Sequence, residues 1–203
     1  KHVFIEKPMC FSLQEADAII AAADNAQKVG QVGYMKVYDP AFEGAKNEVD
    51  AMDTIRFIQV NHLHPTNDLH LKQFTLARFN DIPQSAQEQR TIARRKSLEE
   101  AVGVVPEYVG KTFFTLAGSM IHDIYGLRTM FGNPEKVINT EIWHDGHGVT
   151  TTLAYPNGAR CLATWVNLPD LWEFKETLEV YGIDKRITVS YPTGFARGIL
   201  STL

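Results

Sequence analysis

The sequence predicts an α+β chain, α/β in its opening segment, with an open, mainly antiparallel sheet that carries helices on one face and is preceded by a single βαβ unit. Three observations predict it. The first 35 residues read strand, helix, strand, which is the building block of parallel sheets. Helical patterns fill the middle of the chain, and from residue 135 onward only strand-like runs remain, separated by tight turns, as in an antiparallel sheet.

Taken in order, the apolar run "HVFIE" is a strand ending at Glu6-Lys7-Pro8. Pro8 biases Lys7 toward extended geometry and so holds a cation at the carboxyl end of that strand, where open parallel sheets bind ligands. A solvated lysine that merely ends the strand is the plainer reading. Ser12 followed by Glu15 forms a capping box, and Leu13, Ala16, Ile20, Ala23 and Ala26 recur at helical spacing, which predicts a helix over 13–27. The short strand "VGQVGYM" follows. Asp39-Pro40 opens a second helix running to about Met52, with Asp as N-cap and Pro at the first position. "TIRFIQVNH" is a strand, and residues 62–84, rich in polar groups and without clean periodicity, read as a long functional loop. Ser85 to about Val102 is a charged surface helix, and Lys111 to Phe131 a mostly apolar one closed by Gly132. Strands are expected at 135–144, 147–155, 159–167, 173–181 and 186–191, with turns at Pro156-Asn157-Gly158 and Gly182-Ile183-Asp184. Successive hairpins are the expected connection between them.

The composition of the 203 residues, 44% hydrophobic and 22% charged, suits one good core and part of a second. A net charge of -4 offers no general attraction to phosphate backbones, so nucleic acid is not an expected partner. No run approaches the roughly 18 apolar residues of a membrane span, no membrane partner is expected, and the N-terminus lacks the pattern of a signal peptide. Two distant cysteines, Cys10 and Cys161, fit a reducing cytoplasmic setting as small buried hydrophobes. The absence of an initiator Met, the immediate entry into a strand and the apolar ending read as a fragment. Trp143, Trp165 and Trp172 are expected in the core in preference to an interface.

Glu6-Lys7-Pro8, the helix after it, Val32-Gly33-Tyr34 and Tyr38-Asp39-Pro40 together resemble the segment joining the two domains of the glucose-fructose oxidoreductase / inositol dehydrogenase / rhizopine catabolism family. The resemblance resumes at His122-Asp123-Ile124, Leu127-Arg128 and Phe131-Gly132. It implies that residues 1–33 are a remnant of a dinucleotide-binding Rossmann domain. Residues 34–203 would be a substrate-binding and dimerisation domain, truncated at its C-terminus. No GxGxxG fingerprint occurs, so the site for NAD or NADP would lie mostly outside this chain.

The resemblance further implies an NAD(P)-dependent oxidoreductase acting on a hydroxyl of a sugar, polyol or related small-molecule substrate, working as a homo-oligomer paired through its sheet. His122 would take the hydroxyl proton and Lys7 would hydrogen-bond the same oxygen, so these two are the expected catalytic residues. Glu6, Lys7 and Pro8 would line the nicotinamide end of the cofactor site, and Tyr34, Lys36, Asp123 and Tyr125 would contact substrate. The chain departs from the family pattern at three places: Gly118 where many relatives carry Asp, Tyr125 where Asp is common, and Val37 where Arg is frequent. These departures bear on the substrate class.

Without the resemblance, His122 reads as a core histidine on an apolar helix. A second class of function, a non-catalytic binding or dimerisation module, is suggested by the remaining histidines. His62 and His64 share one strand face and His70 follows in the same loop, a set that could hold a transition metal, whereas no HExxH or CxxC pattern is present. No metal site is assigned on this spacing.

Overall fold

The computed structural model describes residues 1–196 and 198–203. It divides into two compact units, residues 1–34 with 75–121, and residues 35–74 with 122–203.

In the first unit, strand β1 (Val3–Ile5), helix α1 (Leu13–Ala26) and strand β2 (Gly30–Val32) form the expected βαβ unit. β1 and β2 pair in parallel, with Phe4 opposite Gln31. α1 starts where the capping box places it: Ser12 Oγ accepts from Glu15 N–H at 3.2 Å, and the Glu15 carboxylate reaches back to Phe11 N–H at 3.0 Å. Phe11 in turn meets Phe113 and Phe114, with ring centroids at 6.3 and 5.2 Å. The charged helix α4 (Gln84–Val102) lays Arg94 over the Phe114 ring at 3.8 Å.

The single apolar helix expected over 111–131 is in fact three pieces. Helix α5 (Glu107–Thr115) begins after Pro106, a π-helical turn spans Leu116–Met120, and helix α6 (Ile121–Phe131) follows. Hydrophobic periodicity does not register one inserted residue in a continuous helix, so the sequence pattern carries no sign of the turn.

The second unit is built on a six-stranded sheet in the order β4-β5-β6-β3-β7-β8. Its strands are β3 (Phe57–His64), β4 (Lys136–Trp143), β5 (Gly148–Ala154), β6 (Arg160–Asn167), β7 (Lys175–Tyr181) and β8 (Arg186–Tyr191). Four of the five pairings are antiparallel, but β6 and β7 do not form the hairpin that the sequence suggested. β3 lies between them, parallel to β6 and antiparallel to β7, and the connection over 168–174 steps across it. Leu168 N–H donates to His64 C=O at 2.8 Å at the start of that step.

Helices cover one face of this sheet. Helix α2 (Pro40–Asp50), capped by Asp39 accepting from Ala41 N–H at 2.9 Å, buries Phe42, Ala45 and Val49. α6 buries Asp123, Gly126, Leu127 and Met130, a stripe at helical spacing. The two helices meet where Phe42 packs against Gly126, whose missing Cβ would stand 3.3 Å from the Phe42 ring. Beneath them, Ile58, Val60, Cys161, Ala163, Leu178, Val180, Ile187 and Val189 form the sheet side of the core. The other face carries a polar row in which Thr150 hydrogen-bonds Thr164 and Asn61 donates to Thr177.

Residues 62–84 contain the end of β3 and a short helix α3 (Asn67–Leu71). Of the tryptophans, Trp165 is buried in the core, whereas Trp172 is 77% exposed, which corrects its expected placement: it lies on the 168–174 crossover, outside any strand ladder. Both cysteines are free thiols, Cys161 fully buried and Cys10 partly so. No helix among the described residues is long and apolar enough to cross a membrane.

Candidate functional site

Strand alternation assembles the centre of the second unit. Along β3, the residues on the face of Ile58 and Val60 include His62, and along β7 the residues on the face of Leu178 and Val180 include Glu176. The β3–β7 register sets His62 directly opposite Glu176. α6 lowers Asp123 onto this pair, the 3₁₀ turn Met35–Tyr38 supplies Lys36, and the end of β8 supplies Tyr191. An imidazole, two carboxylates, an ammonium and a phenol from five elements therefore meet in a region the hydrophobic pattern alone would reserve for apolar side chains.

The contacts are short. His62 Nδ1 and Asp123 Oδ2 share a hydrogen bond at 2.7 Å, and the same nitrogen lies 3.9 Å from Glu176 Oε1. Lys36 Nζ donates to Glu176 Oε1 and sits 4.7 Å from the Tyr191 ring centroid. The side chains of His62, Asp123 and Glu176 are 4%, 3% and 1% exposed. Glu176 Oε2 is buried and has no hydrogen-bond partner among the described residues. Burial pushes the Asp123 carboxyl up to about 6, against the opposing pull of Lys36. Burial also raises Glu176, reinforced by the Asp123 charge and opposed by Lys36 and His62. Tyr191 is raised too, first by burial and then by the two carboxylates and Asp39. One ammonium thus serves two buried carboxylates, so the cluster favours uptake of a proton as pH falls toward 6.

A small cavity of about 10 Å³ opens among these groups, lined by Lys36, His122, Asp123, Glu176 and Tyr191 together with core residues. His122 precedes Asp123 on α6, and its Nδ1 is buried. Three of the residues expected from the sequence, Lys36, His122 and Asp123, therefore share this cavity. Tyr125 is half-buried and is not among the lining residues.

The histidine set considered for a metal does not form. His62, Asp123 and Glu176 are the one group among the described residues whose donor atoms come within 4.8 Å of one another, and neither His64 nor His70 belongs to it. Lys36 already supplies positive charge to Glu176. His64 stacks on His62 with ring centroids 5.6 Å apart, its Nδ1 meets Pro65 C=O at 2.6 Å, and burial lowers its pKa. His70 stacks instead on Phe195 at 6.2 Å.

In the first unit, Lys7 follows β1 and is joined to Pro8 by a cis peptide bond. Its Nζ donates to Gly118 C=O at 2.5 Å, inside the π-helical turn. A π turn displaces carbonyls from their usual i+4 donors, so one is available to an ammonium. Glu6 lies beside Gly33, where an added Cβ would stand 3.3 Å from Glu6 Oε2 and 3.0 Å from Phe4 Cζ. Tyr34 is half-buried at the end of this segment.

Glu176 and Tyr191 were not singled out from the sequence, and His62 was read as a potential metal ligand. A signal existed: in "KETLEVY" the alternation that buries Leu178 and Val180 also buries Glu176. A charged residue at a core position in a strand requires a partner, although only the pairing register identifies which.

Comparisons with known proteins agree with this architecture. A family model described as "Oxidoreductase family, NAD-binding Rossmann fold" matches residues 1–34. A stretch of 51 residues, 25% of the chain, is 39% identical to scyllo-inositol 2-dehydrogenase (NAD(+)) of Bacillus subtilis (strain 168), covering 15% of that protein. Among solved structures, myo-inositol 2-dehydrogenase from Lactobacillus plantarum matches 92% of the chain with a TM-score of 0.58 at 18% identity. Levoglucosan dehydrogenase, solved in complex with NADH and L-sorbose, matches 94% with a TM-score of 0.63 at 17% identity. The chain spans 50% and 48% of the lengths of these two structures. The opening segment, residues 1–34, therefore resembles the NAD-binding part of that oxidoreductase family, and the chain shares its fold with these solved structures.

Proposed function

We propose that this chain is the substrate-binding part of an NAD(P)-dependent oxidoreductase acting on a CH–OH group of a sugar, polyol or related compound. The observation that carries the reading is the match of residues 1–34, which include Glu6-Lys7-Pro8, to an NAD-binding oxidoreductase family. The fold of the remainder, shared with dehydrogenases whose names specify inositol and levoglucosan, supports it. Residues 1–33 serve as the end of the dinucleotide domain and 34–203 as the substrate domain. With no glycine-rich phosphate-binding turn in the sequence, Glu6, Lys7 and Pro8 fit the nicotinamide end of the cofactor alone.

The cofactor, NAD or NADP, supplies the hydride acceptor. His122 takes the substrate hydroxyl proton, a role that suits an imidazole titrating near neutral pH. Lys7, oriented by the Gly118 carbonyl, hydrogen-bonds the same oxygen and stabilises negative charge developing on it. Lys36 and Asp123 hold the wall behind His122, while Tyr34 and Tyr125 contribute polar contacts to the substrate. Pairing of two copies through the open sheet, in the cytoplasm, completes the reading.

The test is nicotinamide reduction by the full-length protein, carrying its dinucleotide domain, across a panel of polyols and sugars with NAD and with NADP. Turnover with at least one hydroxyl compound is expected, reduced roughly 100-fold or more by His122→Ala. Normal turnover in that variant would refute the assignment, and the cofactor with the higher kcat/KM resolves NAD against NADP.

A further inference from the structure

Resting on that reading, we propose that Glu176 is the internal proton acceptor for His122, reached through one water molecule held in the cavity that both residues line. The cavity of about 10 Å³ has the size of a single water. A buried water requires two to four polar partners, and the walls provide His122, Lys36, Asp123, Tyr191 and Glu176. Glu176 Oε2 is the decisive one, because it is an acceptor buried inside the protein with no protein donor among the described residues. Native structures satisfy such atoms, and ordered water is the usual means where the protein offers none.

The remaining groups suit Glu176 to accepting a proton. Lys36 on Oε1 favours the ionised carboxylate, opposing the burial that raises it. Asp123, fixed by His62, places a second carboxylate nearby and increases the affinity for a proton. The charged and titratable groups facing this point are Lys36 from the 3₁₀ turn, His62 from β3, His122 and Asp123 from α6, Glu176 from β7 and Tyr191 from β8, with His64 and Asp39 one residue further out. After His122 has taken the hydroxyl proton, its N–H bond breaks as the proton passes to the water. One of the water's own O–H bonds then breaks as its proton passes to Glu176 Oε2. The products are a neutral imidazole, an unchanged water and a neutral carboxylic acid, and no electron is transferred in the step.

Glu176→Gln keeps the shape and removes the acceptor. In the full-length enzyme we expect kcat to fall about tenfold or more with KM for the hydroxyl substrate unchanged. The solvent isotope effect on kcat should lose its two-proton dependence on deuterium fraction. NMR titration of the His122 ring should shift to lower pH by about half a unit or more, since a facing carboxylate favours the imidazolium. The double variant Lys36→Met/Glu176→Gln controls for the stranded ammonium: the same loss is expected there, whereas recovered turnover would overturn the relay. Unchanged kcat and an unmoved His122 titration in Glu176→Gln would overturn it also. The two readings fail separately, because retained activity in His122→Ala refutes the dehydrogenase assignment, while loss in His122→Ala with none in Glu176→Gln refutes the relay alone. Should no turnover be found with any substrate, the titration still decides, and an unmoved His122 midpoint would exclude the coupling.

Discussion

Replacing Lys36 with Met removes the only cation hydrogen-bonded to Glu176 among the described contacts while filling much of the same volume. Glu176 is 1% exposed and Lys36 16% exposed at their side chains, so this is a buried pair. Breaking such a pair by deleting one partner costs about 3–5 kcal/mol, because a charge is left in the interior without compensation. The penalty depends on pH, and its sign follows from the raised acids. Asp123 rises from 3.8 to about 6 and Glu176 rises above 4.5 even with Lys36 present. An acid whose folded pKa exceeds its unfolded value binds more protons when folded, so stability falls as pH rises through that interval. Without the ammonium both acids rise further, and the variant recovers stability relative to wild type as pH falls from 7 to 5. A recovery of roughly 2 kcal/mol is expected for one proton taken up over that interval. Urea unfolding followed by tryptophan fluorescence measures this directly, because Trp143, Trp165 and Trp172 all lie in the unit that contains the pair. A loss below about 1 kcal/mol at pH 7, or an equal loss at pH 7 and pH 5, would refute the reasoning.

Gly148→Ala should lower stability by about 1–3 kcal/mol, since its Cβ would stand 2.5 Å from the Trp143 ring directly across the β4–β5 ladder; an unchanged melting temperature would contradict it. Burial raises the Cys161 thiol to about 12, and Cys10 is raised as well, by burial and then by Glu15. A thiol reagent at pH 8 should therefore modify at most one equivalent in the folded protein and two in urea, and two fast equivalents without denaturant would show Cys161 to be accessible.

Local chemistry carried much of this fold. The capping box at Ser12 and Glu15, Asp39-Pro40 and the alternation after residue 135 each act within a few residues, and the corresponding helices and strands stand close to where those signals put them. The insertion of β3 between β6 and β7 is of another kind, because strand order depends on contacts across more than a hundred residues and no local pattern encodes them. The candidate site divides in the same way. Lys36, His122 and Asp123 could be singled out from sequence, and the tertiary structure brings all three to one cavity. Glu176 as the partner of Lys36, and His62 as the partner of Asp123, were decided only when the β3–β7 register and the packing of α6 set buried charges within hydrogen-bonding distance. By itself the sequence determined which segments are helix or strand and which of their faces are apolar, since side-chain periodicity and backbone capping are properties of neighbouring residues. Tertiary structure decided which polar residues on those apolar faces meet, because a buried charge is tolerated only beside its partner and that partner arrives from a distant strand or helix.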